Sequence, residues 1–237
     1  NGASNVVTSI VDQALYLCHN LISVVIPETV TSIGDQAFSN ATGLTSVNIP
    51  NSVTHIGNFA FAYTYNLTSI TIPDNVVSFG SEVFNMSGIS DITIGNGITS
   101  IPIRTFYTCV NLTTVTLGAN VTSIDNFAFY WCDNLTSVTL PEGLTSIGSY
   151  AFSDCERLSS IELPSTLSTI GTSAFYGCEA LSSVIIPEGI TRIESTTFKD
   201  CSSMVYVEIP ESVTYIGTGA FAECTSLERA DFEDGHG

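Results

Sequence analysis

The 237-residue sequence predicts an α/β solenoid of about ten stacked coils. A parallel sheet should line one face, with short helical or 3₁₀ turns and loops on the other. Three observations carry this. First, SYAFSDCERLSSIELPSTLSTIG, Ser149 to Gly171, is followed at once by TSAFYGCEALSSVIIPEGITRIE, which repeats it with Phe175 for Phe152, Cys178 for Cys155 and Pro187 for Pro164. Second, a phenylalanine recurs at Phe38, Phe61, Phe84, Phe106, Phe129, Phe152, Phe175, Phe198 and Phe221, always 23 residues apart except for the 22 from Phe84 to Phe106. Leu15 holds the same place one unit earlier. Third, the apolar positions inside each unit are nearly fixed.

Each element follows from those positions. An isoleucine stands five before the marker, as in Ile33, Ile56 and Ile147, and glycine follows it at Gly34, Gly57, Gly148, Gly171 and Gly217, where a turn is expected. The segment around the marker, such as SYAFSDC, is too short for a free helix and reads as one helical or 3₁₀ turn. A leucine then comes six after the marker, as in Leu135 and Leu158. LTSVTLP closes the unit with period-2 alternation and a proline, which reads as a short strand. One coil cannot cover its own apolar edge, whereas stacked coils form a continuous core filled by a phenylalanine ladder. The missing residue lies between Phe84 and Ile89, where NMSG replaces a longer turn.

Composition narrows the function. The net charge is −18, from 23 acidic residues against four arginines and one lysine, which excludes the basic patches that nucleic acid and anionic membrane surfaces require. No apolar run reaches the length of a membrane helix, so no membrane insertion is expected in this segment. The first residue is Asn and the first unit begins in mid-repeat. Residues 1–237 are therefore read as a single array and as a piece of a longer chain.

A period of 23 falls within the range of leucine-rich repeats. The pattern IGxxAFxxCxxLxxVxIPxxVTx resembles the BspA-like, or Treponema-type, leucine-rich repeat family over essentially the whole chain. Departures are local: Asn96 and Gly118 fall in the proline region, and Pro102 replaces a glycine. The resemblance implies an extracellular or cell-surface protein, and several members act as adhesins for host proteins.

All seven cysteines share one phase, three after the marker: Cys18, Cys109, Cys132, Cys155, Cys178, Cys201 and Cys224. The other three coils carry Ala41, Thr64 and Ser87 there, so the position wants a small side chain and the column reads as reduced packing. Parallel Cβ vectors disfavour a disulfide ladder, and no CxxC pair suggests a metal. Six N-glycosylation sequons begin at Asn40, Asn66, Asn85, Asn111, Asn120 and Asn134, a weak signal of a secreted glycoprotein. Gly217-Thr218-Gly219-Ala220-Phe221-Ala222 mimics a dinucleotide fingerprint but lies in register with the other coils. His19 and His55 differ in phase and His236 lies in the acidic tail DFEDGHG, which reads as a solvated terminus. No catalytic residue, cofactor or enzyme activity is expected.

Recognition surfaces remain. Small hydroxyls dominate the outward strand positions of the first six coils. The last four hold the large or charged groups: Glu162, Ile185, Tyr206, Glu208, Arg229 and Asp231. Tyr and Arg are the residue types that anchor interfaces, so a patch for a protein or glycan partner is placed there, on the concave sheet. A threonine file, including Thr31, Thr54, Thr122 and Thr145, suits cross-strand bonding and, in principle, ice. The alternative to an adhesin-like module is a spacer or filament unit that stacks on itself.

Overall fold

The computed structural model describes residues 6–232. His236 and the rest of the tail after Phe232 lie outside the described residues. Among the described residues, nineteen short strands form two sets of parallel ladders. Ten two-residue strands, from Ser9–Ile10 to Tyr215–Ile216, precede the ten markers. Nine longer ones, from Ser23–Val25 to Arg229–Phe232, follow them. Register is strictly one coil per step, for example Ser146↔Thr169 on the short-strand face and Tyr206↔Arg229 on the long-strand face.

The phenylalanine ladder forms as the repeat requires. Phe38 to Phe198 have zero exposure. Successive rings stack with centroids 4.9–5.7 Å apart and nearly parallel planes. Each buried ring contributes roughly 1.5–3 kcal/mol by removal from water.

The expected helical or 3₁₀ turns are replaced. Among the described residues there is no helix, and the fold is a parallel β solenoid rather than α/β. Hydrogen-bond accounting gives the reason. In the second coil, the amides of Ala37, Ser39 and Ala41 donate back to the carbonyls of Gly34, Gln36 and Phe38, closing successive β-turns. The intervening amides of Gln36, Phe38 and Asn40 donate instead to Asn58, Ala60 and Ala62 of the next coil at 2.8, 2.8 and 2.9 Å. A helix would spend every amide inside its own segment, and seven residues are too few to satisfy one. Alternation satisfies all of them and ties the coils together.

That alternation demands left-handed backbone two residues before and two after the marker. Eighteen non-glycine residues adopt it, including Gln36 at φ 56° and Asn40 at φ 58°, with Gly177 and Gly219 at the equivalent places. Such a conformation costs an L-residue about 1–2 kcal/mol. A Cβ built on Gly219 meets only ordinary contacts at 3.5 and 3.6 Å. Gly219→Ala therefore isolates the backbone term. Offset by the lower entropy of unfolded alanine, it should destabilise the protein by about 0.5–1 kcal/mol. Urea melts check this; an unchanged or raised midpoint would contradict it.

Both sets of ladders are interrupted. The short-strand ladder stops between Ser78–Phe79 and Ser100–Ile101, where the 22-residue coil and Pro102 break the period, and again between Thr169–Ile170 and Arg192–Ile193. The long-strand ladder is unpaired between Ser46–Asn48 and Ser69–Ile72, and it loses one whole strand in the seventh coil, around Ser160–Glu162.

Candidate functional site

The last strands of the long-strand face bring four of the six expected residues together. Tyr206 sits opposite Arg229 and Glu208 opposite Asp231 on adjacent strands. The Tyr206 hydroxyl donates to Glu208 Oε2 at 2.8 Å and to Asp231 Oδ2 at 3.3 Å. Arg229 Nε donates to Asp231 Oδ1 at 2.8 Å, and its guanidinium lies 5.7 Å from the Tyr206 ring centroid. Bonding to the Glu208 carboxylate pushes the Tyr206 hydroxyl up to about 12. A hollow of about 570 Å³ opens here, lined by Tyr206, Glu208, Ala230, Asp231 and Phe232. Ile185 pairs with Glu208 in register and is 61% exposed, extending the patch on one side.

Glu162 does not join them. It lies in the seventh coil, where the strand is lost, and lines a cleft of about 540 Å³ together with Glu142, Ser137 and Leu163.

The cysteine column packs as reduced thiols. Cys109, Cys132, Cys155, Cys178 and Cys201 are buried, while Cys18 and Cys224 are half-buried. Each thiol from Cys132 to Cys224 donates to the carbonyl of a marker in the preceding coil, as Cys155 does to Phe129 at 3.2 Å. Burial pushes the Cys109 thiol up to about 12 and the Cys132, Cys155 and Cys178 thiols well above the ordinary range.

The BspA type leucine rich repeat region matches residues 8–133 and 122–236. The chain belongs to the BspA-type leucine-rich repeat family. Solved structures place this BspA-type array among bacterial relatives. It is 31% identical to a leucine-rich repeat protein from Bacteroides ovatus, covering 93% of this chain and 69% of that one with a TM-score of 0.59. It is 28% identical to a leucine rich cell surface protein from Faecalibacterium prausnitzii, over 98% and 80% of the two chains, with a TM-score of 0.53. A leucine-rich repeat protein from Eubacterium ventriosum is 32% identical over 65% of this chain, with a TM-score of 0.63; the match spans 42% of its length. No curated protein matches the sequence.

Within the BspA-type array the sequons differ in setting. Asn85 is buried and its amide donates to Glu82. Asn66, Asn120 and Asn134 donate to backbone carbonyls of the preceding coil, and Asn40 takes left-handed backbone and bonds Ser39. Asn111 is exposed. The threonine file spends its hydroxyls internally, as Thr54 Oγ1 does on Thr31 O at 3.2 Å and Thr145 Oγ1 on Thr122 O at 3.0 Å.

One surface feature escaped the sequence argument. Tyr107 stacks on Tyr130 at 5.1 Å, Tyr130 on Trp131 at 5.4 Å and Phe127 on Tyr150 at 5.0 Å, with Arg104 over Tyr107 and Phe127. The signal was present in the sole tryptophan and in a phenylalanine, Phe127, that is out of phase with the marker.

Proposed function

We propose that this array is an extracellular, adhesin-like recognition module that binds a protein through the last strands of its long-strand sheet. The carrying observation is the Tyr206–Glu208–Arg229–Asp231 cluster, which gathers the large polar groups of that face beside a hollow. Tyrosine and arginine held in place by carboxylates lose little entropy on contact, which is how interface anchors behave. The surface location named for the Faecalibacterium relative supports the compartment. A charge of −18 favours a partner with basic patches, with association slowing as salt rises.

The test immobilises the array and offers it extracellular-matrix and host cell-surface proteins. A control carries Tyr206→Ala, Glu208→Ala and Arg229→Ala together. Capture of a defined partner should fall by about a hundredfold in the control, as expected for two anchors worth about 1.4 kcal/mol each. Equal capture by the control would move the site elsewhere. No capture at any salt would leave the spacer or filament reading ahead.

A further inference from the structure

We propose that the cleft in the seventh coil receives an arginine side chain from a polypeptide partner. This rests on the reading of the long-strand face as a protein-binding surface and names the chemistry of a second contact on it.

The cleft begins as a gap in the hydrogen-bond ladder. Ser137–Thr139 pairs with Thr114–Thr116 on one side only, and Ser183–Ile185 pairs with Tyr206–Glu208 on one side only. Between them, Ser160–Leu163 makes no backbone hydrogen bond to either neighbour among the described residues. The gap is pinned at both ends. Ser159 N still reaches Thr136 O at 3.5 Å, Ser182 N reaches Ser159 O at 3.3 Å, and the Thr166 hydroxyl meets Leu144 O at 2.8 Å. Behind it the core is intact, with Phe152 stacked at 4.9 Å on Phe129 and 5.4 Å on Phe175.

Those limits select the occupant. A whole added strand would need about 4.8 Å on each side of itself, and the pinned ends and closed core forbid that parting. A single side-chain head group entering from the open face of the cleft asks for far less room. The groups it would meet are main-chain amides and carbonyls released together from the ladder, the hydroxyls of Ser137, Thr139 and Ser160, and the carboxylates of Glu142 and Glu162. No Lys or Arg lines the cleft. The two carboxylates, with no basic residue to offset them, call for a cation, and the carbonyls and hydroxyls around them for one carrying several donors in a plane. Guanidinium has five in a fixed fork, whereas ammonium is a compact and strongly hydrated point charge. Leu163 is half-buried where its counterparts Leu140 and Ile186 are buried, so the cleft also offers apolar surface for the arginine stem.

The test titrates a blocked hexapeptide, Gly-Ser-Gly-Arg-Gly-Ser, into the ¹⁵N-labelled array and follows amide shifts by NMR. Counterparts carry lysine or citrulline, the latter matching arginine in shape without its charge. The expected result is saturable shifts at Ile161, Glu162 and Leu163, with affinity reduced about tenfold or more by citrulline and by Glu142→Gln with Glu162→Gln. Tyr206→Ala with Arg229→Ala should leave the titration unchanged. Absence of shifts at Ile161–Leu163 with the arginine peptide at millimolar concentration would overturn the proposal, as would equal binding of the citrulline peptide. Partner capture is scored separately. Capture without arginine binding defeats the cleft alone, and arginine binding without capture supports the cleft while defeating the proposed partner site.

Discussion

Phe152→Ala should destabilise the array by about 3–5 kcal/mol, the cost of a large cavity in a core that cannot close around it. Phe152 has no exposed surface and stacks on a ring above and a ring below. Its neighbours are fixed from outside as well. Phe152 N donates to Ala174 O at 2.8 Å and Asp154 N to Tyr176 O at 2.6 Å, so the turn ribbon holds the coils at their spacing while the hole stands between them. In a stack where each coil touches only its neighbours, such a lesion weakens two interfaces at once. Urea unfolding should therefore show a lower midpoint and a loss of cooperativity. Tyr150→Ala, at a partly exposed ring two residues away, provides the comparison and should cost much less. A loss below about 1 kcal/mol for Phe152→Ala would mean that the ladder is not what couples the coils.

The second large effect is alkaline. The buried cysteine column has folded-state thiol pKa values above the unfolded value of about 8.5, with Cys109 at about 12. A raised folded pKa means that the stabilisation is complete below the unfolded pKa and is lost as pH climbs from there towards the folded one. Each such thiol removes about 1.4 kcal/mol per pH unit in that window, so the four at Cys109, Cys132, Cys155 and Cys178 together remove about 5 kcal/mol per unit. The melting temperature should hold steady to about pH 8.5 and then collapse within one to two units. Replacing these four by alanine, which the equivalent position already accepts at Ala41, should flatten that fall. A wild-type melting temperature unchanged from pH 7 to 10.5 would refute the argument.

The period, the number of coils and the core were legible because burial repeats the same residue types at the same places. Phe129 and Leu135 announce what they do. The turn ribbon was not legible. Its left-handed positions hold Gln36, Phe127, Trp131 and Asp154 with no shared chemistry, because the ladder between coils compensates whatever strain each residue brings. Only Gly177 and Gly219 hinted at it. The patch at Tyr206 and Arg229 could be found from residue type and phase. The separation of Glu162 from it could not, since Ser160-Ile161-Glu162-Leu163-Pro164 reads like any other strand, and its loss of pairing depends on how whole coils sit against each other. The aromatic cluster at Tyr107, Tyr130 and Trp131 was not legible either, because it stands on turn positions of no fixed type, where other coils carry Ser39, Asn85 and Ser153.

The two kinds of backbone bond differ in sense along the stack. On the turn ribbon, amides of one coil donate forward, as Phe38 does to Ala60. On the strand faces the bonds run both ways, backward as Thr54 does to Thr31 and forward as Ile186 does to Glu208. The turn ribbon therefore gives each cross-section a direction, offering donors on its forward face and acceptors on the other. Only a coil of the same orientation can continue it. Two arrays facing each other across a two-fold axis would set donor against donor, so a contact that continues the ladder from one copy to another is head-to-tail and leads to an open polymer rather than a closed pair.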